Sequence, residues 1–161
     1  MPVIALWSAP RARSTAFFRS MVERGDLLAL HEPFWNLTAF GDAGVPGQVL
    51  PTTTSLLAWL GDETPNIKVF FKETTDQRYE EVLAGKRFLA EARHVFLIRH
   101  SRRHRRFLPP TVARNALGGG GAKTMHELYA AVVDAGSHRP VAIDADDLAT
   151  RPAAGFRTSE P

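Results

Sequence analysis

The chain contains no cysteine, which excludes disulfide scaffolds, cysteine-ligated zinc sites and thiol catalysis. Long apolar runs are also missing. Stretches such as Val69-Phe70-Phe71 and Val95-Phe96-Leu97-Ile98 fall far short of the roughly 20 residues that span a bilayer, so no membrane partner is expected. The opening Met-Pro-Val-Ile-Ala-Leu-Trp has neither a basic n-region nor a long apolar h-region with a cleavage site, and the expected address is cytoplasmic. Nor is there a broad excess of one charge. Lys and Arg number 20 against 17 Asp and Glu, a net +3, and five of the 20 (Arg99, Arg102, Arg103, Arg105 and Arg106) fall within eight residues. Without those five the balance is −2, so the basic excess is local. What is present, 161 residues with 44% apolar and 23% charged, suits one soluble globular domain over 1–161.

The order of elements is read from apolar runs and turn residues. Pro2 to Trp7 is a buried strand, Ser8 to Arg13 a polar loop, and Ser14 to Val22 a helix that Ser14 can cap and Gly25 can stop. Further strands fit Leu27 to Leu30, Ile67 to Lys72, Val95 to Ile98 and Val141 to Ile143. Helices fit Ser55 to Leu60, Arg78 to Glu91 and Met125 to Ala135, whereas the glycines and prolines between Asn36 and Thr54 indicate an irregular connection. The Gly118 to Gly121 run reads as a flexible loop. Continuous apolar strands alternating with helices imply a mainly parallel sheet covered on both faces, a three-layer α/β domain. Ligands of such sheets bind beyond the carboxyl ends of the strands, where Arg11, Arg13, Glu32, Lys72 and Arg99 fall.

After the first strand, Pro10-Arg11-Ala12-Arg13-Ser14-Thr15 brings two guanidinium groups, two hydroxyls and the free N–H groups of a helix start into one turn. That combination suits an anion. The spacing is not that of a Walker A loop, and a solvated surface helix is the plain alternative.

The ordered set of this loop, a second strand ending in His31-Glu32-Pro33-Phe34, and a strand ending in Phe96-Leu97-Ile98-Arg99-His100 resembles the sulfotransferase family, in particular bacterial sulfotransferase-like proteins with a Pro-Arg-x-Arg-Ser-Thr loop. The resemblance covers about residues 3–100 and 125–152. It implies a P-loop-like α/β fold and 3′-phosphoadenosine 5′-phosphosulfate (PAPS) as sulfuryl donor, with no metal. In that reading Arg11 takes the basic position of the 5′-phosphosulfate loop, Ser14 and Thr15 supply its hydroxyls, and Ala12 and Arg13 stand where Ser-Gly is commoner. Glu32, with His31 beside it, matches the base that takes the acceptor's proton, and Arg99 matches the arginine that binds the donor's 3′-phosphate. The implied acceptor is a hydroxyl or amine of a small molecule. Lys72 could place an ammonium over the sulfuryl group or the acceptor; set against these roles, His31 packing on Trp35, Glu32 in a local ion pair or hydrogen bond, and Lys72 and Arg99 reaching solvent from their strand ends are the structural alternatives.

The pattern breaks after His100. Where the family continues with a helix carrying a second phosphate-binding serine, this chain reads Ser101-Arg102-Arg103-His104-Arg105-Arg106-Phe107-Leu108-Pro109-Pro110, and the prolines end any helix there. Codons for Arg-His-Arg-Arg-Phe-Leu read one nucleotide later can encode Asp-Ile-Ala-Ala-Ser-Tyr, so a frameshift over about 101–124 is expected, which sequencing the gene decides. The chain also stops at Pro161, before the family's C-terminal helices, and is expected to be truncated. Three rival functions follow: a degenerate paralogue that binds a nucleotide or nothing; a nucleotide kinase or NTPase, for which no P-loop lysine can be placed; and a polybasic nucleic-acid binder, for which no recognition module is found, so no specific nucleic-acid partner is expected.

Overall fold

A computed structural model describes residues 2–62, 67–99, 120–136 and 138–150. Its framework is a five-stranded sheet made of β1 (Val3–Ser8), β2 (Leu28–His31), β5 (Val69–Thr74), β6 (Arg93–Ile98) and β7 (Val141–Asp144), in the order β2-β5-β1-β6-β7. Every pairing in it is parallel. Successive strand residues point to opposite faces, and both faces are apolar. Val3, Ala5 and Trp7 of β1 join one core and Leu6 the other.

The first core takes Phe34 from α2 (Pro33–Phe40), Leu56, Trp59 and Leu60 from α3 (Thr53–Asp62), Val82 from α4 (Glu80–Ala84), Phe88 from α5 (Lys86–Glu91), and Leu128 and Val132 from α6 (Gly120–Ala135). The second takes Phe17 and Met21 from α1 (Ser14–Glu23), and Ala145, the first residue of α7 (Ala145–Thr150). This is the three-layer α/β arrangement that the apolar strands imply. Trp7 sits at the middle of the first core. It is fully buried, donates its indole N–H to His94 Nδ1 at 3.0 Å, and meets Phe71 edge to face at 5.6 Å between ring centres.

Several expected boundaries move, each for a local reason. The connection expected to be irregular over Asn36 to Thr54 is not so throughout: its start lies in α2, which Pro33 opens with a fixed φ and missing N–H suited to a first turn. Gly41 closes that helix in the left-handed region (φ 86°), and β3 (Ala43–Val45) and β4 (Gln48–Leu50) form an antiparallel hairpin around Pro46-Gly47. The helix expected over 78–91 is split into α4 and α5 at Gly85. Gly120 and Gly121, expected in a loop, belong to α6, which approaches the sheet closely: a Cβ on Gly121 would lie 3.3 Å from the Thr75 carbonyl oxygen. The basic cluster and expected frameshift region between His100 and Gly119, and the chain after Thr150, lie outside the described residues. No helix among the described residues is long and apolar enough to cross a membrane.

Candidate functional site

From β1 the chain builds β2 and β5 on one side, then crosses to β6 and β7 on the other. The carboxyl end of β1 is therefore the switch point at which open parallel sheets take their ligands, and Ala9 to Arg13 occupies it. Ala12 donates its N–H to the Ala9 carbonyl at 3.1 Å and buries its methyl group in the second core. Its neighbours face outward. Arg11 (φ 65°) and Arg13 (φ 63°) are exposed and both left-handed, a conformation that costs a non-glycine residue roughly 1–2 kcal/mol and that gathers at functional sites.

Arg13 is the N-cap of α1, and no side chain caps that helix. The cap expected from Ser14 does not form, because Ser14 is already the first helical residue and is buried; Thr15 beside it is exposed. Arg99 reaches across from β6 and donates from Nη1 to the Arg11 carbonyl at 3.0 Å. Its Nε is buried without a partner among the described residues. Arg99 is thus half-buried against the loop, not a free strand-end arginine. Arg13→Gly removes the left-handed cost and is expected to gain up to about 1 kcal/mol, seen as a rise of a few degrees in Tm. A lower Tm would show that the Arg13 side chain contributes more than its backbone costs.

The second half of the site lies at the end of β2. Glu32 is left-handed (φ 50°), its N–H donates to the Lys72 carbonyl at 2.8 Å, and its carboxylate pairs with the Lys72 ammonium. Lys72 is 4% exposed, so it does not reach solvent: side chains alternate along β5, and this one points into the sheet's second face. His31 packs edge to face on Phe18 at 5.1 Å, not on Trp35, and its Nδ1 is 3.9 Å from Glu32 Oε2, beyond hydrogen-bond reach. Partial burial, with the Lys72 charge adding to it, holds the His31 imidazole below its usual range.

The next residue, Glu73, faces the opposite side and is fully buried. Oε2 accepts the N–H groups of Phe34 (2.8 Å) and Trp35 (3.2 Å), and Oε1 accepts the Thr74 N–H (3.0 Å) and the Tyr79 hydroxyl (3.1 Å). Burial still pushes this carboxyl up to about 7, against all four donors, and the same burial raises the Tyr79 phenol. Glu73 is not among the residues that the sequence pattern singles out. Its available signal was a pair of opposite charges, Lys72-Glu73, directly after an apolar run: on a strand buried on both faces each must find a partner.

Along the carboxyl edge the order is His31 at the end of β2 with Glu32 just after it, Lys72 on β5, Arg11 to Thr15 after β1, and Arg99 just after β6. Strand spacing puts about 10 Å, two strand widths, between the ends of β2 and β1. The structure therefore joins Arg99 to the loop, and Glu32 to Lys72, as two adjacent groups. Cations and first-turn N–H donors in one group suit a phosphate or sulfate, and a carboxylate in the other can accept a proton. Among the described residues no group of three or more His, Asp or Glu side chains is arranged to hold a metal ion.

No family model and no curated protein matches the chain. Among solved structures, the YorR protein of Bacillus subtilis, in complex with phosphorylated GDP, is similar with a TM-score of 0.56 and 10% sequence identity, over 96% of this chain and 95% of that one. The likeness is one of fold, and the parallel sheet, its strand order and the loop at its switch point give this chain the fold of a P-loop-like α/β domain.

Proposed function

We propose that this chain binds PAPS along the carboxyl edge of its sheet and transfers the sulfuryl group to a hydroxyl or amine of a small-molecule acceptor. The observation that carries the reading is Arg99 drawn against the strained, cation-bearing loop at the switch point, with a buried Nε still lacking a partner among the described residues. PAPS carries its 5′-phosphosulfate and its 3′-phosphate on two positions of one ribose, so it needs two sets of cations close together, and the loop after β1 lies beside the end of β6. Arg11, Arg13 and the N–H groups at the start of α1, with Ser14 and Thr15, hold the 5′-phosphosulfate, and Arg99 holds the 3′-phosphate. The donor supplies an activated sulfur. Glu32 takes the acceptor's proton as its oxygen or nitrogen bonds to that sulfur, and Arg11 neutralises the charge left on the 5′-phosphate as the S–O bond breaks.

A second reading, a nucleotide-binding or kinase-like protein without sulfuryl transfer, is favoured by one observation: the YorR structure, which holds phosphorylated GDP, is similar over nearly the whole chain. Calorimetric titration separates the two. 3′-Phosphoadenosine 5′-phosphate is expected to bind more tightly than ADP or GDP, and Arg11→Ala and Arg99→Ala are each expected to weaken it at least tenfold, about 1.4 kcal/mol. Affinity unchanged by both substitutions removes the donor site, and preference for GDP favours the second reading.

A further inference from the structure

Resting on the assignment of Glu32 as base, we infer that Glu73 is a positioning residue: it caps α2 in place of Glu32 and so leaves the Glu32 carboxylate free to stand beside Lys72. The geometry is unusual for a helix start. Glu32 occupies the N-cap position of α2 but makes no side-chain cap hydrogen bond. Pro33 at the first position has no N–H to satisfy, so Phe34 and Trp35 carry the first orphan donors. Both donate to one oxygen of Glu73, from a strand well separated in sequence.

Were that oxygen withdrawn, the nearest acidic side chain able to serve those donors would be that of Glu32, since a side-chain oxygen at the N-cap is where such N–H groups find acceptors. Its carboxylate would then turn away from Lys72. Lys72 and Glu73, adjacent on β5, thus grip one corner of the chain from the two faces of the sheet. Lys72 holds the Glu32 side chain through the ion pair, and Glu73 holds its main chain through the first turn of α2. The left-handed backbone of Glu32 lies between the two holds. The other Glu73 oxygen, Oε1, is braced by two donors, the Thr74 N–H and the Tyr79 hydroxyl.

The experiment compares the full chain with Glu73→Asp, one methylene too short to reach Phe34 and Trp35, and Glu73→Gln, whose carbonyl keeps that reach. Three readouts are taken without any acceptor: amide exchange, the 13C shift of the Glu32 carboxyl carbon, and calorimetric affinity for 3′-phosphoadenosine 5′-phosphate. In Glu73→Asp the Phe34 and Trp35 amides are expected to exchange about tenfold faster or more, while those of β1 keep their protection. The Glu32 carboxyl signal moves, and affinity for the bisphosphate stays within about twofold.

In Glu73→Gln the Glu32 signal stays in place. The inference is overturned if Glu73→Asp leaves the Glu32 signal where it was, if the β1 amides accelerate by the same factor as those of α2, or if Glu73→Gln displaces Glu32; the last comparison decides alone should Glu73→Asp not fold. Where sulfuryl transfer is measured, Glu73→Asp lowers kcat by about tenfold with the donor KM unchanged, as expected of a group acting through the base. A wild-type chain with no transfer activity would count against Glu32 as base, while the carboxyl signal still judges the role of Glu73.

Discussion

Trp7→Ala is expected to lower the unfolding free energy by about 3–5 kcal/mol through the lost burial and the cavity it leaves. Trp7 is fully buried, and its ring lies among those of Phe34, Phe71, Tyr79 and His94, so few neighbours can collapse into the space without disturbing one another. The substitution also removes the donor to His94 Nδ1, and a buried acceptor left alone costs roughly 1–3 kcal/mol more. Against a total of about 5–15 kcal/mol for a domain, this is enough to bring the chain close to unfolding. Trp7→Phe separates the two contributions, since it keeps a ring and loses only the N–H and part of the volume. Urea midpoints at fixed m-value check both variants. A loss below about 1 kcal/mol for Trp7→Ala would contradict the placement of Trp7 at the centre of the first core.

The second large effect is one of pH. Glu73 is pushed from 4.5 in the unfolded chain up to about 7 in the folded one, so between those values the folded chain keeps a proton that the unfolded chain has released. Stability from this group therefore falls as pH rises from about 4.5 to about 7, by roughly 3 kcal/mol in all. His94 runs the other way. Burial, with His138 adding to it, takes its imidazole from 6.5 down to about 4, so stability from this group is lost as pH falls through that window, again by roughly 3 kcal/mol. The two slopes oppose each other over most of their range.

Single substitutions uncover them. Glu73→Gln is expected to leave a protein that weakens steeply on acidification from about 6.5 to 4. His94→Asn, whose amide oxygen takes the place of Nδ1 as acceptor for Trp7, leaves one that weakens as pH rises from about 4.5 to 7. Urea unfolding across that range, with wild type as reference, gives the two curves. A Glu73→Gln curve parallel to wild type would mean that the buried carboxyl ionises as it does in water.

What the sequence disclosed and what it hid divide along a physical line. Apolar runs identify β1 and β6 because burial on both faces leaves a continuous signature, and Gly25 marks the end of α1 because its left-handed turn (φ 70°) favours a residue without Cβ. The Arg11 to Thr15 loop was legible because its cations and hydroxyls are consecutive in the chain. The Lys72–Glu32 pair and the capping of α2 by Glu73 were not, because each joins residues about 40 positions apart. A single sequence shows that a charge exists, and not which charge it meets. The start of α2 is hidden for a different reason: Pro33 marks a first helical turn only when the preceding residue is known to be its cap.

The parallel sheet also governs how the chain reaches its native state. Val3 pairs with Val69, Ile4 with Arg93, and Val95 with Val141, so no contact of the main sheet forms before a long loop has closed. Among the described residues the β3–β4 hairpin is the local strand pair, and hairpins of its kind assemble in roughly 1–10 μs. The remaining topology belongs to the slower, high contact-order class, in which exposed strand edges wait for distant partners and invite association between chains. Dilute, cool refolding therefore favours recovery of the folded chain over aggregates.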